Sequence, residues 1–291
     1  MGYKAKTRFW HALIIIFIGI ICAIFVIPVI LIFSASFTSS KALADVGYRL
    51  IPPQFSTEAY DFLLHDPTII TQAYGVSIIV TVVGVTVGVL IMAMLAYVLS
   101  RKDFKLRGIL TFYIFFTMLF SGGLVPYYIN MVRTLHLKNT LTAMILPGLV
   151  VPFFVLLLRT YFSSLPKDLF DSAKIDGAND FTIFFQIVIP LSMPAILTVG
   201  LFLMLNYWND IFQALLFIDV NKLTPLQLTL YNMINDSFMD TQMNLIVGHP
   251  VPALSVRMAM AVLALGPVIL AFLFVQRYFV RGITLGSIKG D

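Results

Sequence analysis

The amino-acid sequence predicts an all-α polytopic membrane protein with six transmembrane helices. Both termini are expected to be cytoplasmic, with a short cytoplasmic helix between the fourth and fifth spans. Three observations carry this. The 291 residues are 59% hydrophobic and only 11% charged, whereas a soluble domain is about a quarter charged. Six runs reach the roughly 20 apolar residues that a bilayer crossing needs, near 10–34, 72–99, 109–130, 140–160, 184–206 and 256–280. The basic residues are also unevenly shared between the loops that join those runs. A net charge of +5 in such a chain points to cytoplasmic loops and not to nucleic acid.

The first run, inside MGYKAKTRFWHALIIIFIGIICAIFVIPVI, opens like a secretory signal, with basic residues before the apolar ones. It is longer than the usual apolar core of about 7–15 residues, so it is expected to be a retained span. Cys22, the single cysteine, lies within it. One cysteine excludes an internal disulfide and a cysteine-rich metal site and reads as a small buried hydrophobe. Residues 35–71 form a long outer loop with SASFTSS, IPPQFSTEAYDF and HDP, suited to a lid or a docking surface. In the second run Gly84 and Gly88 make a small-xxx-small face for helix packing. The fourth run contains Pro147 and Pro152, the fifth Pro190 and Pro194. Such breaks survive in spans whose neighbours satisfy the freed carbonyls. Trp10, Tyr127, Tyr128, Tyr161, Tyr207, Trp208 and Tyr278 fall near run ends, as interfacial aromatics do. A second long outer loop, 207–255, carries NDSFMDTQ and HPVP.

Orientation follows from the cations. Lys4, Lys6, Arg8, Arg101, Lys102, Lys105, Arg107, Arg159, Lys167, Lys174, Arg277, Arg281 and Lys289 fall on one side. Lys41, Arg49, Arg133, Lys138, Lys222 and Arg257 fall on the other. The side with 13 of the 19 is expected inside, and it contains both ends, as an even number of spans requires.

The inner loop 163–182 is the most structured-looking polar segment. Ser163 or Ser164 can cap a helix there, Pro166 suits its first turn, and Asp168 favours the positive end of its dipole. Gly177 stops it, because glycine takes the left-handed conformation cheaply. ANDFTIFFQIVIP then begins a second helical run into the membrane. Ser172 and Ala173 are small enough to let another backbone approach. By residue type alone, an amphipathic helix lying on the membrane surface fits equally well.

The spacing around Gly177 resembles that of one protein family. Asp171-Ser172-Ala173 is followed by three residues, Gly177, nine residues, then Ile187, Val188, Ile189 and Pro190. The inner-membrane permease subunits of binding-protein-dependent ABC importers carry Glu-Ala-Ala, three residues, Gly, nine residues, Ile, any residue and Leu-Pro. The departures, Asp171, Ser172 and Ile189, keep charge, size or apolarity. FSGGLVPYYINMVRTLHLKNT, LNYWNDIF and FVQRYFVRGITLGSIKG resemble the carbohydrate branch, most of all the subgroup associated with complex oligosaccharides and polysaccharide fragments. The resemblance implies a bacterial inner-membrane subunit that pairs with a second, homologous permease. It also implies two ATPase subunits, an extracytoplasmic substrate-binding protein and an oligosaccharide substrate, such as an alginate- or pectin-type fragment. The loop would be the coupling helix, with Asp171, Ser172, Ala173, Asp176, Gly177, Ile187 and Pro190 meeting or orienting toward an ATPase subunit. The sequence has no GxxxxGK[ST] phosphate loop. The chain is therefore expected to be no enzyme and to hold no cofactor, with ATP and Mg bound by the ATPase partners. The tail RGITLGSIKGD would lie near those partners.

LNYWNDIFQ adds candidate substrate contacts. Asn206, Trp208, Asn209, Asp210 and Gln213 sit at the outer end of the fifth run. Amides pair with sugar hydroxyls, and an aromatic face suits the C–H face of a ring. Ordinary helix-end polar groups and an interfacial aromatic would read the same way. Tyr128 and Asn130 near the end of the third run are further candidates. The four histidines, His11, His65, His136 and His249, are scattered, so no metal site is expected, and no nucleophile elbow or zinc-protease helix is present. Two alternatives remain open at this level. One is an importer permease for a non-sugar solute. The other is an ion-coupled carrier or channel, which would want buried ionisable residues at mid-span; the runs carry essentially none.

Overall fold

The computed structural model describes residues 2–65, 67–233, 235 and 253–287. Residues 236–252 of the second outer loop and the last four residues of the tail lie outside them. Among the described residues there is no strand beyond one isolated bridge, Thr38 to Phe55. The chain divides into two compact units, Met1–Ile70 with Leu230–Pro267, and Thr71–Thr229 with Val268–Asp291.

In the first unit, α1 (Gly2–Ser36) is apolar on every side, and its described side chains from Trp10 to Ile30 are exposed. Such a helix suits lipid or another apolar helix, not water. Its last turn is buried beneath the segment that follows. The Ser34 hydroxyl donates to the Arg49 carbonyl (2.6 Å), and Ser36 shares a hydrogen bond with the Tyr60 hydroxyl (2.9 Å). Phe37 stacks on Phe55 at 5.6 Å. Short helices α2 (Ser40–Val46) and α3 (Glu58–Leu63) complete a folded cap, with Ser39 accepting from the Ala42 N–H as the N-cap of α2. The first outer loop is therefore a packed element. Ser40 also bonds Ser255 (2.6 Å) at the start of α15 (Ala253–Ser287).

The second unit is built on α4 (Pro67–Ser100), 34 residues long with no proline after its first. The runs 109–130, 140–160 and 184–206 are each a bent pair of helices, in the fourth and fifth at the prolines that the sequence marks as breaks. α5 (Arg107–Leu119) and α6 (Leu124–Ile129), with a π-helical turn over Asn130–Thr134, meet at 112°. Between them lies Ser121-Gly122-Gly123, where Gly123 has φ +87°, a conformation that costs glycine little. α7 (Leu141–Ile145), with a 3₁₀ turn to Gly148, and α8 (Pro152–Ser163) meet at 45°. Pro152, at the first turn of α8, has no N–H to lose. α9 (Lys167–Ile175) is the inner-loop helix. α10 (Asp180–Ile183), a π turn over Phe184–Val188 and α11 (Ile189–Leu191) meet α12 (Met193–Trp208) at 81°. The break is Ser192, between the two prolines. α13 (Phe212–Phe217) and α14 (226–233) follow. Among the described residues three single helices are long and apolar enough to cross a membrane, in α1, α4 and α15, or up to six spans if each bent pair counts as one.

The core of this unit gathers Met92, Ala93, Ala96 and Leu99 of α4, Val155, Leu158 and Phe162 of α8, and Val199 and Leu203 of α12. The small-residue face of α4 packs as its spacing predicts. A Cβ on Gly84 would stand 2.5 Å from the Tyr207 ring, and one on Gly88 would stand 3.0 Å from Leu203. Gly148 closes the other side of the same ring, 2.8 Å from any added Cβ, and the Tyr207 hydroxyl donates to the Ile145 carbonyl (2.7 Å). The ring cannot retreat, so Gly84→Ala should cost about 1–3 kcal/mol, the usual penalty of an overpacked core. Thermal unfolding of the detergent-solubilised protein measures it; an unchanged midpoint would show that the slot has slack.

Candidate functional site

α9 is stopped at its C-terminus as the sequence predicts, but no side chain caps its N-terminus. Ser163 and Ser164 do not cap it. Their hydroxyls donate back to Arg159 and Tyr161 carbonyls of their own helix α8 (2.8 and 2.7 Å), the usual competing bond for a serine at a helix end. Pro166 is itself the N-cap, not a first-turn residue. Asp168 is in the first turn and Lys174 in the last, each at the end of the dipole that favours it. At the C-terminus Gly177 has φ +82°. Its N–H donates to the Lys174 carbonyl (3.1 Å) and the Ala178 N–H to the Ala173 carbonyl (2.9 Å). That pair of bonds is the Schellman stop. Asn179 then caps α10, accepting from the Thr182 N–H (2.8 Å). The loop is thus two short helices joined through residues 176–179, the first stopped at Gly177 and the second capped by Asn179.

α9 has an inner and an outer face. Phe170 and Ala173, three residues apart, are buried in the core with Phe162, Leu99 and Ile183. Ala173 therefore faces its own chain. This corrects the expectation that it admits a partner backbone: three residues is one helical turn, which puts it on the Phe170 side. Lys167, Asp168, Asp171, Ser172, Ile175 and Asp176 face outward. Lys167 and Asp171 form an exposed i, i+4 pair (3.6 Å), worth a few tenths of a kcal/mol. Ile175 is 86% exposed, an apolar side chain on a polar face, and sequence reasoning passed over it. Ile187 is half-buried in the π turn and Pro190 exposed in α11, so both belong to the bend by which the chain enters α12.

Behind α9 lies a groove of ≈ 670 Å³ lined by Arg101, Asp103, Phe162, Lys167, Phe170 and Lys174, among others. The Arg101 guanidinium lies over the Phe170 ring, 4.9 Å from its centroid, and pairs with Asp103 (3.4 Å). Asp103 also meets Lys174 (3.7 Å). Burial, the largest single influence, pushes the Asp103 carboxyl up, but its own backbone N–H and the Arg101 and Lys174 cations together outweigh that and hold it below the usual carboxylate range.

The candidate substrate contacts separate into two groups. Trp208 is 5% exposed and packs on Tyr74 at 6.3 Å. This corrects its expected role, because a buried indole offers no open face to a sugar ring; Tyr207 is likewise buried. Asn206 and Asn209 are exposed, with the Asn209 amide donating to Leu205 (2.9 Å). Gln213 on α13 is brought to α6, where the Tyr127 hydroxyl donates to its amide oxygen (2.5 Å). Tyr128 stacks on Phe217 at 5.7 Å, and Asn130 is exposed beside it. The sequence placed Tyr127 only among the interfacial aromatics and not among the candidate substrate contacts. Asp210 sits between α12 and α13, and burial raises its carboxyl above the ordinary range. Lys138 and Asp219 close this end with a 2.7 Å ion pair. Among the described residues no group of His, Cys, Asp and Glu could hold a metal.

The all-helical fold, with its bent spans and stopped inner-loop helix, is that of a membrane transport permease. The match is to the family described as binding-protein-dependent transport system inner membrane component, over residues 84–285, and the chain belongs to that family. The protein is thus an inner-membrane component of such a system. It is 37% identical over 287 residues to the polygalacturonan/rhamnogalacturonan transport system permease protein YtcP of Bacillus subtilis, covering 98% of this chain and 100% of that one. It is 35% identical to Protein LplC of the same organism, covering 95% and 93%. A solved structure, a bacterial ABC transporter involved in the import of the acidic polysaccharide alginate, superposes with a TM-score of 0.81 at 29% identity, covering 96% of this chain and 99% of the other.

Proposed function

We propose that this chain forms half of the translocation pathway of an ATP-driven importer for an acidic oligosaccharide, a short fragment of a uronic-acid polymer. The carrying observation is that two separate likenesses, one in sequence and one in fold, are to transporters named for polyuronides. Polygalacturonan and alginate share a ring carboxylate and little else in linkage. In this reading a second permease completes the pathway, two ATPase subunits bind ATP and Mg, and an extracytoplasmic binding protein delivers the sugar. The outward face of α9 is the ATPase contact, with Asp171, Ser172, Asp176 and the exposed Ile175 on it, and Gly177, Ile187 and Pro190 set its angle to α12. Asn206, Asn209, Gln213, Tyr128 and Asn130 offer hydroxyl-pairing groups to the sugar. The absence of ionisable residues at the middle of α4 and α12 supports an ATP-driven machine over an ion-coupled one.

The test is uptake by the whole complex in proteoliposomes. Oligogalacturonate or oligo-alginate should enter only with ATP and binding protein, and a neutral arabino-oligosaccharide should not compete. Competition by the neutral sugar, or uptake driven by an ion gradient without ATP, would sink the reading. The same reading has six spans and both termini inside, from the 13-to-6 split of cations. In a Cys22→Ser background a cysteine at Thr57 should react with an impermeant thiol reagent in intact cells, and one at Asp103 should not. Labelling at Asp103 would overturn the topology.

A further inference from the structure

We infer that Arg101 is a positioning residue for transport, through which displacement of α9 is delivered to α4 and carried along α4 to the substrate end of the pathway. The inference rests on the proposed importer function and adds the route. The direct continuation of α9 is a poor strut. It passes a glycine stop, a π turn and an 81° bend at Ser192 before reaching α12, and each can absorb displacement. α4 is the unbroken alternative. From Tyr74 to Arg101 it spans about 40 Å at 1.5 Å per residue.

At its inner end α4 is fastened to α9 and α8 at one place. The Arg101 side chain is only 17% exposed and lies between the rings of Phe170 (4.9 Å) and Tyr97 (5.9 Å). Asp103, on the same short loop, holds both Arg101 and Lys174. The Arg159 Nε–H donates to the Leu99 carbonyl (3.2 Å), tying α8 to the same turn. At its outer end α4 grips the segments that carry the candidate sugar contacts. Tyr74 packs on Trp208, next in sequence to Asn209. The Ser77 hydroxyl accepts from the Leu226 N–H (2.8 Å), and Gln72 donates to the Lys222 carbonyl (3.2 Å). Between the two ends Tyr207 is keyed into Gly84. Arginine suits the inner joint because its flat guanidinium can stack on Phe170 and pair with Asp103 together, which an ammonium cannot.

The assembled transporter in proteoliposomes, with its binding protein and sugar, tests this through the ratio of sugar imported to ATP hydrolysed. Arg101→Ala should lower that ratio about tenfold, within the usual range of coupling effects, while substrate-stimulated hydrolysis falls far less. Arg101→Lys should lie between, and Lys105→Ala, exposed on the same loop, should match the wild type. A purely structural role would reduce both rates together and leave the ratio intact. That result, or no change at all, would overturn the inference. If Arg101→Ala does not assemble, Arg101→Lys carries the test, and a wild-type ratio in it is the overturning outcome. A wild-type complex that imports no sugar would fail the functional reading instead.

Discussion

Gly177→Val should leave the protein in the membrane and weaken its contact with the ATPase, with substrate-stimulated ATP hydrolysis and sugar uptake falling together. The cause is the backbone. Gly177 sits at φ +82° with nothing within 4 Å of an added Cβ, so no clash inside the chain decides the outcome. A side chain at that φ costs about 1–2 kcal/mol, and a β-branched one costs more. The chain relieves that strain by releasing the Gly177 and Ala178 N–H groups from the Lys174 and Ala173 carbonyls. The stop then loosens and α9 tilts on its neighbours. Binding of sugar to the isolated extracytoplasmic protein should be unchanged, since that protein lacks this loop. Normal assembly with full stimulated hydrolysis and uptake would show that α9 does not meet the ATPase.

Ala173→Arg should do more damage, and at an earlier stage. Ala173 is buried in the same core cluster as Phe170, Leu99 and Phe162, and the Phe170 ring carries the Arg101 guanidinium. An arginine there either buries an unpaired cation beside another or forces α9 off its seat. An uncompensated buried charge costs about 3–5 kcal/mol, enough to deplete a folded protein of ordinary stability. The expected readout is a loss of assembled complex on size exclusion, before any transport assay. Ser172→Arg, one residue away on the outer face, should assemble and fail only in coupling. If Ala173→Arg assembled as well as Ser172→Arg, the two faces of α9 would be wrongly assigned.

The sequence made the runs of apolar residues legible, along with the stop at Gly177, because both are local. Bilayer thickness sets the length of a run, and a positive φ selects glycine at a single position. It hid the bend at Ser121-Gly122-Gly123, because FTMLFSGGLVPYYI stays apolar straight through the break and hydropathy carries no direction. Trp208 misled for a different reason. An aromatic beside amides at a helix end has the chemistry of a sugar site, but its burial depends on Tyr74, far away along the chain. Ala173 was readable and was misread. Phe170 one turn earlier marks the inner face, and the spacing of the two outranks the smallness of one. Arg101 and Asp103 were counted only as inner-side charges, since nothing local says that a loop cation lies on a ring of α9.

The Tyr207 slot has a consequence for how such a chain can change over generations. Gly84, Gly148 and Tyr207 are contributed by three different helical segments but occupy one volume. A larger residue at either glycine is excluded while the ring stays, and a smaller residue at 207 leaves a hole between the two glycines. No single exchange at these positions improves the fit, so they should behave as one inherited unit. In a combinatorial library the surviving clones should keep all three or replace the ring and at least one glycine together.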